Sequence, residues 1–369
     1  MQSKECALRA YLSVLAGGVY TDGLAKTRYF FVDDLKIAAC ILVVLGHFFM
    51  SVVAAGIMPQ SALYNVLIQG VYTFHVPLFF VCSGFLYQNS NRVHSLKPYL
   101  KNVARKLLDL GVPYFTFSII TFVIKYVFEN SVNTKNGDFF NSLFVNPTAP
   151  YWYLYALFIF FLIIPCVNSK KQAWLLFSIS VLLKILYIAC SINSVAMPYV
   201  VSSVTGRMIW FAGGMLLSFY IDKLSSLRFL KAAALVAIAL GTALSALFYR
   251  QTNNSEIVKT AVGVIFTLGC VFAAVSFESA KTRNLSKKLT PYFMPVFLMH
   301  TIFAAGVRIL LLHFGIDNVF IHILLGVPAG FLFPCAVYKI CEKLPVFMFF
   351  IYPKKAIDII RAKKLKNKI

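Results

Sequence analysis

The chain has 369 residues, of which 60% are hydrophobic and only 13% charged, with a mean hydropathy of +0.78. That balance excludes a soluble globular domain and describes an integral membrane protein. The formal net charge of +22 does not describe a nucleic-acid binder, because the cations sit mainly in short loops between apolar runs and in the closing stretch KKAIDIIRAKKLKNKI, as positive-inside topology requires. The eight cysteines are scattered, most within apolar runs and without a C-x-x-C pair, so they read as small buried hydrophobes; no disulfide framework, metal site or bound cofactor is expected.

Residues 1–27 open with a basic start and a short apolar run, as a secretory signal does. The run is interrupted, and Lys36 at the entrance of the next apolar segment wants that end inside, so 1–27 reads as a cytoplasmic leader. Apolar runs of about the 20 residues that a spanning helix needs then recur ten times. They lie near 34–57, 64–88, 107–129, 150–168, 173–191, 197–220, 230–248, 258–277, 290–313 and 319–341. With the N-terminus inside, basic loops should follow the even-numbered runs, and they do: Arg92, Lys97, Lys101, Arg105 and Lys106; Lys170 and Lys171; Lys223, Arg228 and Lys231; Lys281, Arg283, Lys287 and Lys288. The opposite loops carry chiefly Lys135, Arg250 and Lys259. The expected architecture is an all-α bundle of about ten transmembrane helices with both termini cytoplasmic: a leader (1–27), a membrane domain (28–341) and a basic tail (342–369). Its place is the cell inner (plasma) membrane, as a multi-pass protein with the lipid bilayer as its first partner.

The first run, LKIAACILVVLGHFF, carries Lys36 and His47 eleven positions apart. At 100° per residue the two lie within about 20° of each other on one face, about 16 Å apart along the axis. Asp33 shares that stripe. Read blandly, Lys36 snorkels to headgroups and His47 bonds a neighbouring helix; read functionally, the stripe is a pathway from the inner surface to the midplane. The second run, FHVPLFFVCSGFLY, places His75 halfway down, Pro77 where it must break the hydrogen-bond ladder, and then Ser83 and Gly84. On the residues alone, a kink and a glycine packing contact account for it. Lys184, Arg207, His300 and Arg308 lie inside later runs, while Asp33, Asp34, Asp109 and Glu129 sit near the boundaries. Deep charges are costly, and cations without carboxylates suggest a cavity for something anionic, or satisfaction by backbone carbonyls and water.

RYFFVDDLKIAACILVVLGHF resembles the first helix of the acyltransferase-3 family of bacterial integral membrane O-acyltransferases, marked by Arg or Lys, ten residues, then His. FHVPLFFVCSGFLY is similar to that family's second-helix signature, in a form most like the sugar O-acetylase branch. APYWYLYALFIFFLIIP looks like its Trp-containing fourth helix, with Trp152, and PYFMPVFLMH like its late segment ending in histidine. The resemblance covers roughly 28–341. It implies transfer of an acyl group, usually acetyl, from acyl-CoA to a hydroxyl, often of a surface or secreted carbohydrate or glycan. Lys36 then matches the family's cation and His47 its essential histidine, with His75 and His300 in the second and late motifs. Lys stands at 36 where Arg is commoner, so a point charge replaces bidentate phosphate recognition. The family's paired arginines of the first inner loop are replaced by Lys101, Arg105 and Lys106 at different spacing.

Acyl transfer needs a base for the acceptor proton and stabilisation of the developing oxyanion. His47 suits the first task; Lys36, Arg105 and Lys106, with Asp33 beside them, suit the donor, acetyl-CoA. Arg207 or His300 would hold the oxyanion or orient the sugar, with Ser83 and Trp152 further candidates on the acceptor side. Direct attack and an acyl-histidine intermediate both fit these residues. The rival reading is a transporter or flippase of an anionic solute, which would also want midplane cations around a broken helix.

Overall fold

The computed structural model describes residues 28–90, 96–249 and 255–366; the leader therefore lies outside the described residues. Among them helix is the only regular secondary structure, with no strand. Helix α1 spans Phe30–Ala54 and α2 Ala62–Ser90; α3 (Leu96–Lys106) passes through a π-helical turn at Leu107–Gly111 into α4 (Val112–Val127). Then come α5 (Trp152–Ile163), α6 (Lys170–Ile192), α7 (Tyr199–Leu217), α8 (Ile221–Ser225), α9 (Leu230–Leu247), α10 (Glu256–Ser276) and α11 (Ala280–Leu289). The chain ends in α12 (Phe293–His313), α13 (Val319–Lys343), α14 (Pro345–Ile351) and α15 (Pro353–Lys366). Nine helical stretches among the described residues are long and apolar enough to cross a membrane, with α3 to α4 and α11 to α12 each counting as one. The protein is a multi-pass membrane helical bundle.

The fourth expected span departs from the expectation. Helix α5 has 12 residues, about 18 Å of helix against a hydrocarbon core of about 30 Å. Proline explains the shortening: Pro150 precedes its first turn, and Pro165 forces Ile164 into extended backbone (φ −105°, ψ 110°). The truncated helix is tolerated because most of it is packed in protein: Tyr153, Leu154, Ala156, Leu157, Ile159, Phe160 and Phe161 are buried, while Leu162 and Ile163 at its end are exposed.

Small residues set the bundle's closest approaches. A Cβ on Gly84 of α2 would fall 2.0 Å from the Phe211 carbonyl oxygen of α7, and one on Gly214 of α7 2.0 Å from that of Val81. These two helices therefore touch backbone to backbone, as the glycine packing expected at Gly84 implies. Pro77 interrupts the hydrogen-bond ladder of α2 without ending the helix, which runs on unbroken. The Thr73 carbonyl it frees is covered by α10, where a Cβ on Gly263 would come within 2.6 Å of that oxygen.

Helix α1 is gripped from two sides. Gly326 and Gly330 of α13 abut Phe48 and Val44, and Gly46 abuts Tyr72 of α2. Its first turn is fastened by Arg28 to Asp33 (2.7 Å) and to Thr290 (3.2 Å), and by a hydrogen bond from Ser286 of α11 to Asp34. Beyond α13 the chain stays on the bundle, with Met348 and Ile351 buried in the main core.

Candidate active site

Three helices bring His47, His75 and His300 together with one tyrosine. The His47 and His300 ring centroids lie 5.3 Å apart, those of His47 and Tyr72 6.4 Å, and those of Tyr72 and His75 4.5 Å. Tyr72 and His75 stand three residues apart on α2 and share a face. Gly46 makes the approach of Tyr72 possible, since a Cβ there would meet the ring at 3.0 Å. His75 is 2% exposed and His300 1%.

The backbone fixes the protons of two rings. His75 Nδ1 lies 2.7 Å from the Val71 carbonyl oxygen, and His300 Nδ1 lies 2.9 and 3.0 Å from those of Val296 and Phe297. A carbonyl oxygen only accepts, so each neutral ring carries its proton on Nδ1 and presents Nε2 as a bare lone pair. The Tyr72 hydroxyl and His300 Nε2 are buried without a hydrogen-bond partner. No ion pair joins these histidines to Asp or Glu among the described residues, and no three His, Cys, Asp or Glu side chains there converge as a metal ion would need.

Towards the Lys36 end lies a cleft of about 190 Å³ lined by Lys36, Lys106, Ser83, Tyr87, Tyr153 and otherwise apolar side chains that include Phe161, Phe293 and Phe297. Two ammonium groups over an apolar throat suit a ligand with an anionic head and a slender arm. Ser83 bonds Tyr153 across it (2.9 Å), and the Lys106 ammonium sits 4.6 Å from the centroid of the Phe161 ring. None of the three histidines lines the cleft; Phe297 stands between, lining the cleft while its carbonyl takes the His300 proton.

Other expected site residues lie apart from this line. Asp33 is held by Arg28, and Arg105 is exposed one residue from Lys106; neither lines the cleft. Arg207 lies 4.6 Å from the centroid of the Trp152 ring and 5.8 Å from that of Tyr199, and donates to Ser203 (3.0 Å). The expectation that the deep cations lack carboxylates is corrected at Lys184, which pairs with Glu256 of α10 (3.3 Å). Glu256 opens its helix behind the N-cap Ser255, so it reaches into the bundle from the helix end. Arg308, 3% exposed, has only neutral partners among the described residues: Ser51 Oγ (2.6 Å), the Ser51 carbonyl (3.3 Å) and the Ser131 carbonyl (3.4 Å).

Sequence reading missed Tyr72, Tyr87 and Tyr153. Tyr72 had a visible signal in its spacing from His75; the other two are recognisable only once α5 is seen to end inside the bundle.

A polytopic helical bundle with a buried imidazole cluster above a cationic cleft is the frame of a membrane acyltransferase. The family described as acyltransferase domain matches residues 29–339, and the chain belongs to this acyltransferase-3 family. No curated protein and no solved structure matches the chain.

Proposed function

We propose that the protein moves an acetyl group from acetyl-CoA to a hydroxyl of a carbohydrate or surface glycan, in the inner (plasma) membrane of a bacterium and with the Lys36 end of the bundle facing the cytoplasm. The observation that supports this reading is the cleft lined by Lys36 and Lys106, separated from the histidine cluster by Phe297, which lines the cleft and whose carbonyl takes the His300 proton. Lys36 and Lys106 take phosphates of CoA at the inner surface, with Arg105 adding to the attraction from outside the cleft. The apolar throat takes the pantetheine arm and delivers the thioester to His47.

His47 accepts the proton of the acceptor hydroxyl as its oxygen attacks the acyl carbon. The carbon–sulfur bond then breaks, and the proton passes to the departing thiolate, leaving ester and free CoA. The Tyr72 hydroxyl, buried without a partner among the described residues, donates to the oxyanion formed on the way. Arg207 and Trp152 are assigned to the acceptor, and the positive-inside loops set the orientation.

The test is acetyl-labelled acetyl-CoA supplied to membranes containing the wild type or His47→Ala, in which native acceptors are present. Base-labile label should enter the glycan fraction only with the wild type. Equal labelling by both proteins would remove the assignment, and uptake of a labelled anion without acyl transfer would favour a transporter.

A further inference from the structure

The His47–His300 pair holds two unfilled hydrogen-bonding capacities side by side. His300 Nδ1 carries its proton because two carbonyl oxygens flank it, so Nε2 is an acceptor, and it is buried with no partner. An acceptor left so is costly, and native structures rarely leave one unused without a role. His47, next to it, makes no hydrogen bond to any described residue and remains partly exposed. Two imidazoles joined by an N–H···N bond of about 2.9 Å have centroids roughly 5 Å apart; the observed separation is 5.3 Å, with the ring planes tilted by 49°.

The helices hold the pair in place from both ends. Towards Lys36, the thiol of Cys40 meets the Phe293 carbonyl (3.9 Å), and on the other side Arg308 reaches back to Ser51 (2.6 Å). The offset of 253 residues between Cys40 and Phe293 recurs between His47 and His300, as for parallel helices in a fixed register.

We propose that His300 is the positioning residue of the base: its Nε2 accepts the N–H of His47 and so confines His47 to one tautomer and one orientation, with the other ring nitrogen turned to the acceptor hydroxyl. This rests on the reading of His47 as the base. When the hydroxyl gives up its proton, His47 becomes an imidazolium whose first N–H points at the His300 lone pair, which spreads the charge; His300 itself need not change protonation. The proton then goes to the thiolate of CoA, and both rings return to their starting state. A carboxylate would orient His47 equally well, but at this depth a standing negative charge is costly, whereas a neutral imidazole fixed by backbone carbonyls introduces no charge.

The deciding measurement is solid-state NMR on full-length protein with ¹⁵N-labelled imidazoles in lipid bilayers, assigned through single histidine substitutions. His300 should read as protonated at Nδ1, with Nε2 at the position of a hydrogen-bonded acceptor, and His47→Phe should move Nε2 to that of a free one. Protonation at Nε2, or an Nε2 resonance indifferent to His47→Phe, overturns the proposal. Acetyl transfer by His300→Gln, whose side-chain oxygen still accepts, should stay within about tenfold of wild type, while His300→Phe falls by roughly 10²- to 10⁴-fold at unchanged acetyl-CoA KM. Equal loss in both variants, with melting temperatures held, also overturns it. Absence of acetyl transfer by the wild type, with the NMR shift intact, would instead fault the acyl-transfer reading and leave the pair standing.

Discussion

The aromatic ring of Tyr72 lies against the bare backbone of Gly46, the residue before His47. The contact closes the distance between the hydroxyl-bearing ring of α2 and the imidazole of α1, and a side chain at 46 would have to displace the ring. Gly46→Val should push Tyr72 aside, cost about 1–3 kcal/mol of stability through overpacking, and lower turnover further than the stability loss explains. Gly306→Ala is the control: nothing lies within 4 Å of a Cβ at that position. It should hold or raise the melting temperature, since alanine favours helix over glycine by up to about 1 kcal/mol.

At Gly84 the outcome should be harsher. Its added Cβ would meet a carbonyl oxygen of the partner backbone at 2.0 Å, and backbone cannot swing away as a side chain does. Gly84→Val and Gly214→Val should fail to yield monodisperse protein in detergent. A well-folded, active variant at either position would contradict the observed packing of α2 on α7.

Donor binding separates the three inner cations. Lys36→Gln and Lys106→Gln should each raise the KM for acetyl-CoA by roughly tenfold, the effect of losing about 1.4 kcal/mol of charge-assisted contact. Arg105→Gln, outside the cleft, should change it less than threefold at physiological salt. Lys36→Arg keeps the charge and should retain most of the activity. Isothermal titration with acetyl-CoA checks the ranking, and an Arg105 effect larger than that of Lys106 would relocate the head group.

The Lys184–Glu256 pair makes a test by compensation. Glu256→Gln leaves Lys184, whose side chain is only 8% exposed, without its counter-charge, and removing one partner of a buried pair typically costs about 3–5 kcal/mol. Adding Lys184→Met should recover much of that loss. Thermal unfolding of the two single variants and the double closes the cycle; simple additivity would mean that the two charges do not interact.

Orientation is tested by labelling in a cysteine-free background. Lys135→Cys should react with an impermeant maleimide from outside the cell and Lys281→Cys only after the membrane is opened. Both positions are exposed, unlike Ser286, whose hydroxyl is buried against Asp34. The reverse pattern would turn the cleft outward and remove its access to cytoplasmic CoA.

The spans and the three histidines were legible because both signals are local. Twenty apolar residues announce a helix whatever surrounds it, and an imidazole in such a run stands out by its cost. The pairing of His47 with His300 was not legible, since it depends on the register of two helices separated by most of the chain, and register is decided by contacts such as Cys40 against the Phe293 carbonyl. The Lys184 partner was missed for a related reason: Glu256 follows a polar loop and looks like surface, yet its side chain, 19% exposed, turns inward to Lys184. The shortening of α5 had a visible cause in Pro165, but composition alone does not distinguish a helix that stops early from one that crosses.

The depth of the His47–His300 pair, about 16 Å from Lys36 along α1, bears on the energetics of the whole cycle. A proton held there sits partway through the membrane's electric field, where a full crossing of one elementary charge is worth about 2.3 kcal/mol per 100 mV. If donor and acceptor occupy opposite faces, each turnover sends one acyl cation equivalent outward and one proton inward, and the two displacements cancel. Individual protonation steps at His47 then feel the voltage while the net reaction does not, so collapse of the membrane potential should alter the rate of acyl transfer without shifting its equilibrium.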